Sequence, residues 1–166
     1  MKLRYIGADN VTTTATVLIK NAEGFSSTVY KDTLGNDTIG YGFDYIDIVS
    51  SGYLAPNVSE VSYMEAEVIL AKLMRKISIE IDMFESLKLV YDKQCLSVKA
   101  VFIDMIYNLG FKGFCQFTTF LNYMNTLDYD DAVIDLTNSL CYSQVKSRAI
   151  RNCFIILSHS SSLYLI

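Results

Sequence analysis

A glycine-punctuated stretch in the first third of this 166-residue chain constrains its fold more than any other feature. The apolar run that ends at Glu23 suits a short helix, and Gly24 stands where a left-handed residue commonly terminates one. Two strand-like runs follow, separated by the polar residues 32–37, as in a β-hairpin. One carboxylate, Glu23, therefore ends a helix, and a second, Asp32, opens a hairpin turn.

The helix before Gly24 is predicted over residues 15–23, with a threonine at its N-cap: Thr12, Thr13 or Thr14. Glu23 then lies in the last turn, where unpaired carbonyl groups and the negative end of the helix dipole disfavour a carboxylate. Its aromatic neighbours would also exclude water: Phe25, Tyr30 and Tyr41. Both effects raise the pKa of a carboxyl group, which suits a general acid.

Asp32 has a different setting, because its polar turn keeps the carboxylate wet and ionised. Thr38 follows with a hydroxyl that can orient a water molecule, and Gly40 and Gly42 leave room for a sugar beside the backbone. Glycoside hydrolases use two carboxyl groups that face each other across a cleft. The alternative is purely structural, with Glu23 an exposed helix-end residue and Asp32 an ordinary turn former.

No metal or other cofactor is predicted. The turn does not fit a calcium-binding loop, because Leu34, Asp37 and Phe43 occupy the positions of a ligand, the glycine and the closing glutamate. The cysteines have no metal-ligand spacing, and we expect them to be buried or partly buried free thiols: Cys95, Cys115, Cys141 and Cys153.

Helices are predicted for most of the remaining chain. Ser62 and Glu65 form a capping box before a long helix over residues 62–84, whose apolar residues recur at helical spacing. A second helix over residues 92–109 is apolar on nearly all faces, as expected of a buried central helix. Shorter helices are expected at about 116–126, 129–138 and 146–157.

The carboxylate region carries three motifs that resemble the signature of the phage-type lysozymes, a family of glycoside hydrolases: Glu23-Gly24, Tyr30-Lys31-Asp32 and Thr38-Ile39-Gly40-Tyr41-Gly42. Further segments resemble that family in the same order within residues 13–166: 65–67, 90–92, 108–113, 117–121 and 148–151. Of these, residues 90–92 resemble the start of the family's central helix.

The resemblance implies an α+β, lysozyme-like two-lobe fold within one domain. A small N-terminal β-hairpin lobe, residues 1–61, would be joined by the helix at 62–84 to a mainly helical C-terminal lobe, residues 85–166.

The resemblance also implies hydrolysis of peptidoglycan, with inversion, at the bond between N-acetylmuramic acid and N-acetylglucosamine. Glu23 would be the general acid, Asp32 the base, and Thr38 would help to hold the attacking water. Arg148 matches an arginine that pairs with the acid in this family. Further residues match positions that contact the sugars: Gly42, Tyr107, Asn108 and Phe117.

Departures from the family leave a second interpretation open, namely a catalytically weak or inactive glycan-binding or interaction protein on the same fold. Phe43 replaces the usual histidine, and Cys141 replaces a tryptophan near the cleft. The formal net charge is −4, whereas such lysozymes are usually basic because their substrate is anionic.

The sequence has no apolar run of the length that crosses a membrane, and residues 8–10 interrupt any apolar leader after the basic start. We therefore expect a monomer that is made in the cytoplasm, does not insert stably into membranes and reaches the cell wall after release or delivery. No nucleic-acid motif is present, so the expected partner is peptidoglycan.

The net charge generates a testable prediction. A protein of charge −4 is repelled by an anionic wall, and salt screens that repulsion. Wall-clearing activity should therefore rise as ionic strength increases from a low-salt start, measured as turbidity loss of purified cell walls. A steep decline over the same range would contradict this expectation.

Overall fold

The computed structural model describes residues 10–139 and 146–160 of the chain. The elements in chain order are α1 (Val11–Glu23), β1 (Ser26–Lys31), β2 (Asp37–Gly40), β3 (Phe43–Asp44), α2 (Tyr45–Ser50), α3 (Tyr63–Met83), α4 (Glu85–Asp92), α5 (Leu96–Cys115), α6 (Thr118–Thr126), α7 (Tyr129–Thr137) and α8 (Lys146–Leu157). Helices dominate, with one small antiparallel sheet of order β1-β2-β3. This composition confirms the α+β class.

The chain divides into two compact units, whose boundaries fall within α1 and α3. The sheet unit is Thr16–Lys76, and the helical unit comprises the rest of the described residues. The lobe boundaries expected from the sequence stay a prediction.

Helix α1 begins earlier than predicted, and its N-cap is not a threonine. The side chain of Asn10 accepts a hydrogen bond from the backbone N–H of Thr12 at 2.9 Å. Asparagine is among the best N-cap residues, and because the helix starts at Val11, all three threonines lie inside it. The other end is as predicted: Gly24 has a φ of +67° and its N–H bonds to the carbonyl of Lys20 at 3.0 Å.

The predicted hairpin is present. Strand β1 pairs with β2 so that Tyr30 lies opposite Thr38, and residues 38–40 of β2 are buried. Residues 59–61 continue the pairing on the other edge of β1, since the N–H of Val29 bonds to the carbonyl of Ser59 at 3.1 Å. Helix α2, which the sequence pattern did not predict, follows β3 with Asp44 as its N-cap.

The capping box before α3 is confirmed. The Ser62 hydroxyl accepts from the N–H of Glu65 at 3.2 Å, and the Glu65 carboxylate accepts from the N–H of Ser62 at 2.8 Å. Because both terminal donors are satisfied, the helix starts at Tyr63 and runs to Met83, close to the predicted range.

A cluster centred on Tyr41 joins α1, the hairpin and α3 inside the sheet unit. The Tyr41 hydroxyl donates to Glu67 at 2.6 Å, and the Lys20 ammonium lies 2.5 Å from the same carboxylate. The rings of Phe25 and Tyr63 pack against the Tyr41 ring at centroid distances of 5.4 Å and 6.2 Å. Burial, followed by the bond to Glu67, raises the pKa of the Tyr41 phenol. The residue between the two motif glycines is thus a structural anchor.

The prediction for the central helix was wrong at its start. Residues 90–92 end a separate helix, α4, and α5 begins only at Leu96. The buried side chain of Gln94 explains the break, because its amide donates to the carbonyls of Val90 and Met124 at 2.9 Å each. A side chain thereby satisfies a helix-end carbonyl that the next turn of a continuous helix would have used.

Helix α5 also extends beyond the predicted residue 109. It runs to Cys115 with a break at Gly110, whose φ of +73° is not helical. Val98 and residues 100–106 are buried, as predicted, and the Phe102, Phe114 and Phe120 rings pack at centroid distances between 5.2 and 6.4 Å. The last helices, α6 to α8, agree with prediction within about two residues.

The described cysteines are free thiols, but one differs from expectation. Cys153 is buried and Cys115 partly buried, whereas Cys95 is exposed because it occupies the N-cap position of α5. Burial raises the pKa of the Cys153 thiol to about 11. Cys141 lies outside the described residues. Among the described helices, none is both long enough and apolar enough to cross a membrane.

Candidate active site

Glu23 is the last residue of α1, and its carboxyl group lies against the hairpin. Gly42 has a φ of +76°, and a Cβ added there would lie 2.5 Å from the Oε2 atom of Glu23 and 2.9 Å from its Cδ atom. Only a residue without a side chain allows this approach. Gly42 therefore leaves open the space that the Glu23 carboxyl group occupies. The predicted contact of Gly42 with a sugar stays a prediction.

Asp32 organises the turn between β1 and β2. Its Oδ1 atom accepts hydrogen bonds from the backbone N–H groups of Leu34 and Asn36, both at 2.8 Å. Its Oδ2 atom accepts from the side-chain amide of Asn36 at 3.1 Å. These bonds, those from Asn36 first, lower the pKa of Asp32 below its usual range, so the carboxylate is ionised at neutral pH.

Thr38 is buried on β2, and its hydroxyl donates to the backbone carbonyl of Asn36 at 3.3 Å. Asn36 therefore contacts both Asp32 and Thr38. Tyr30, opposite Thr38 on β1, has a raised pKa, caused first by burial and then by the negative charges of Glu23 and Asp32.

In the helical unit, the candidate residue Arg148 belongs to a buried ionic cluster around Asp104. The carboxylate of Asp104 is wholly buried and accepts from Nε and Nη2 of Arg148 at 3.0 Å and 2.9 Å. Arg151 and Asn152 each donate to the same carboxylate at 2.8 Å. The remaining nitrogen of the Arg148 guanidinium, Nη1, donates to the side-chain oxygen of Asn108 at 3.0 Å. Two predicted site residues are thus in direct contact.

Asp104, Asn108 and Arg148 line one small pocket of the helical unit, together with apolar residues such as Met105 and Leu136. Tyr107 is partly buried on α5, and Phe117 precedes α6 as its N-cap residue. Their predicted sugar contacts stay predictions, as does the pairing of Arg148 with Glu23. Within the described residues, no three His, Cys, Asp or Glu side chains are grouped as a metal site requires.

The family model described as phage lysozyme matches residues 20–148, which is well over half of the chain. The chain belongs to the phage lysozyme family. The matched range contains every candidate site residue, from Glu23 to Arg148. Membership supports a lysozyme-type function, with a glycoside hydrolase acting on peptidoglycan. A comparison with curated proteins finds no match.

Sequence reasoning missed two residues that hydrogen-bond to the candidate site residues, Asp104 and Asn36. Asp104 was passed over within the apolar stretch of α5, although a lone carboxylate among buried residues requires a partner. That requirement was a usable signal. Asn36 gave no signal, because the sequence does not distinguish an asparagine that bonds a neighbouring carboxylate from any other turn asparagine.

The contact between Gly42 and Glu23 generates a prediction with a matched control. Gly42→Ala should lower wall-clearing activity by about tenfold or more, because the new methyl group displaces the Glu23 carboxyl. Gly52→Ala, at a similar φ of +68° but with nothing within 4 Å of the added Cβ, should keep activity near wild type. Both variants should lose stability, by about 1–2 kcal/mol from the left-handed backbone alone. Equal activity of the two variants would contradict this account.

The buried cluster generates a stability prediction. Asp104→Asn leaves the guanidinium of Arg148, which is only 8% exposed, without a compensating charge. We expect a loss of about 3–5 kcal/mol in the free energy of unfolding, measured by urea titration. Asp92→Asn, which removes an exposed i,i+4 pair with Lys88, should cost no more than about 0.5 kcal/mol. Similar urea midpoints for the two variants would show that the cluster contributes little.

Proposed function

We propose that this phage lysozyme family member is a muramidase that cleaves the bond between N-acetylmuramic acid and N-acetylglucosamine with inversion. One observation carries the proposal: the same hairpin region carries the bare glycine backbone against which the Glu23 carboxyl group packs, and an ionised carboxylate, Asp32, fixed by three hydrogen bonds. Family membership supports peptidoglycan as the substrate.

In this proposal Glu23 is the general acid. The glycosidic bond breaks with its electron pair moving to the leaving oxygen, which takes the proton of the Glu23 carboxyl group. Water attacks the anomeric carbon from the opposite face and gives up its own proton. Inversion requires the two carboxyl groups to be roughly 6.5–9.5 Å apart so that this water fits between sugar and base.

Asp32 accepts the proton of the water and stabilises the positive charge that develops on the sugar. Its lowered pKa makes it a constant anion but a weak proton acceptor, so the electrostatic part of its role is the larger. Among the described residues, Oδ2 accepts one hydrogen bond, from Asn36, which leaves that oxygen a second acceptor position for the water. The hydroxyl oxygen of Thr38, whose proton is directed at Asn36, can accept from the same water.

The residues of the helical unit complete the proposal. Tyr107 and Phe117 offer aromatic faces for sugar rings, and the amide of Asn108 suits an N-acetyl group. Arg148 would hold the side chain of Glu23. The enzyme would act as a monomer on the cell wall, after release or delivery from the cytoplasm.

Substitution of the acid tests this function. Glu23→Gln keeps the shape of the side chain and removes the proton, so clearing of purified cell walls should fall by about 10²-fold or more. Glu60→Gln, at an exposed carboxylate of the same unit, should clear walls at the wild-type rate. Thermal unfolding of all three proteins should confirm that the fold is intact.

The outcomes separate the two interpretations of the chain. Wild-type clearing by Glu23→Gln would overturn the assignment of the acid. A wild-type protein that sediments with walls but never clears them would instead be a glycan-binding protein.

A further inference from the structure

Among the described residues, Asn36 hydrogen-bonds to both Asp32 and Thr38, the two groups proposed to activate the water. It ends the turn just before β2, and its side chain and backbone each make a bond to the Asp32 carboxylate, at 3.1 Å and 2.8 Å. Its carbonyl accepts from the N–H of Asp32 at 3.0 Å and from the hydroxyl of Thr38 at 3.3 Å.

We propose that Asn36 is a positioning residue for hydrolysis, whose amide fixes the plane of the Asp32 carboxylate while its carbonyl orients the Thr38 hydroxyl. The inference rests on the proposed function of Asp32 and Thr38, and it adds a residue that acts through these two.

The two carboxylate oxygens of Asp32 accept hydrogen bonds from different kinds of donor. Oδ1 is held by two backbone N–H groups, which any residues at positions 34 and 36 could supply except proline. Oδ2 is held only by the side chain of Asn36 among the described residues. The terminal torsion of an aspartate is broad, and rotation about the Cβ–Cγ bond moves both oxygens together. The amide bond at Oδ2 therefore adds to the restraint from the two bonds at Oδ1, and it sets which acceptor position of Oδ2 is left for the attacking water of the proposed mechanism.

The two bonds from Asn36 also lower the pKa of Asp32, the backbone bond more than the side-chain amide. Titratable neighbours of Asp32 are Tyr30 and Lys31 on β1, Asp37 at the start of β2, and Glu23, which shares Tyr30 as a neighbour. Lys31 is engaged by Asp37 at 2.9 Å, so the bonds from Asn36 remain the main influence that stabilises the anion. Without the amide, the pKa of Asp32 rises. As the pH is lowered, the activity that needs ionised Asp32 is then lost at a higher pH than in the wild-type protein.

The side chain can be removed without removing the backbone bonds. Asn36→Ala keeps the N–H and the carbonyl, and loses only the amide. Asn36→Asp keeps the shape but places a second carboxylate beside Asp32, which raises the pKa of Asp32 further. Thr33→Ala is the matched control, because Thr33 is exposed in the same turn and its side chain has no described bond to Asp32.

The experiment combines two measurements on the full-length protein: the Asp32 carboxyl titration by carbon NMR, and wall clearing as a function of pH. Asn36→Ala should raise the Asp32 midpoint, move the acid limb of the activity profile upward and lower clearing at neutral pH by about tenfold. Asn36→Asp should give a larger upward shift, and Thr33→Ala should match wild type. The Asp variant keeps the test decisive if the Ala variant unfolds.

Asp32→Asn, measured alongside, separates this inference from the proposed function. Wild-type clearing by Asp32→Asn would overturn the proposed base, whatever Asn36 does. Reduced clearing by Asp32→Asn with wild-type clearing by both Asn36 variants would overturn the positioning role alone. An Asp32 midpoint that rises without any change in clearing would overturn it as well.

Discussion

The hydrogen bonds that the Asp32 carboxylate accepts from its own turn are the interaction on which the hairpin and the candidate site both depend. They close the chain between β1 and β2, and so set the register that places Tyr30 opposite Thr38. They also stabilise the charged form of Asp32. The structural and catalytic interpretations of this residue are therefore compatible, because the bonds that build the turn also prepare the anion.

The helical unit contains a buried carboxylate, Asp104, that its neighbours must stabilise. Asp104 lies in the most apolar stretch of α5, where an unpaired carboxylate would be costly. Three residues of α8 donate hydrogen bonds to it: Arg148, Arg151 and Asn152. The guanidinium of Arg148 bonds to Asp104 and, through Nη1, to Asn108. Such a buried pair seldom stabilises more than apolar packing would, but it fixes orientation. Arg148 is thus a rigid cation rather than a mobile surface arginine.

Local rules predicted the features that local physics decides. The left-handed Gly24, the capping box at Ser62 and the polar turn at Asp32 each involve residues within four positions of one another, so the sequence was sufficient. The α4–α5 break was missed because it depends on Gln94 reaching Met124, thirty residues away. The ion cluster was missed for the same reason, since its donors come from α8. Contacts between distant segments do not leave a periodic signal.

In the candidate site, too, local features could be predicted and contacts between separate elements could not. The motif around Glu23, Asp32 and Thr38 was visible from the sequence, and the family match covers it. The packing of Gly42 against Glu23 could not be predicted from the sequence, because spacing along the chain does not give the distance between a helix end and a hairpin.

That packing has a consequence for how descendants of this chain could diverge. Two separate penalties keep glycine at position 42: the left-handed backbone, and the Glu23 carboxyl that fills the space of a side chain. A lineage that shortened residue 23 would escape the second penalty and keep the first. Glycine at this position would then persist because of the backbone conformation alone, and its presence would carry no information about residue 23.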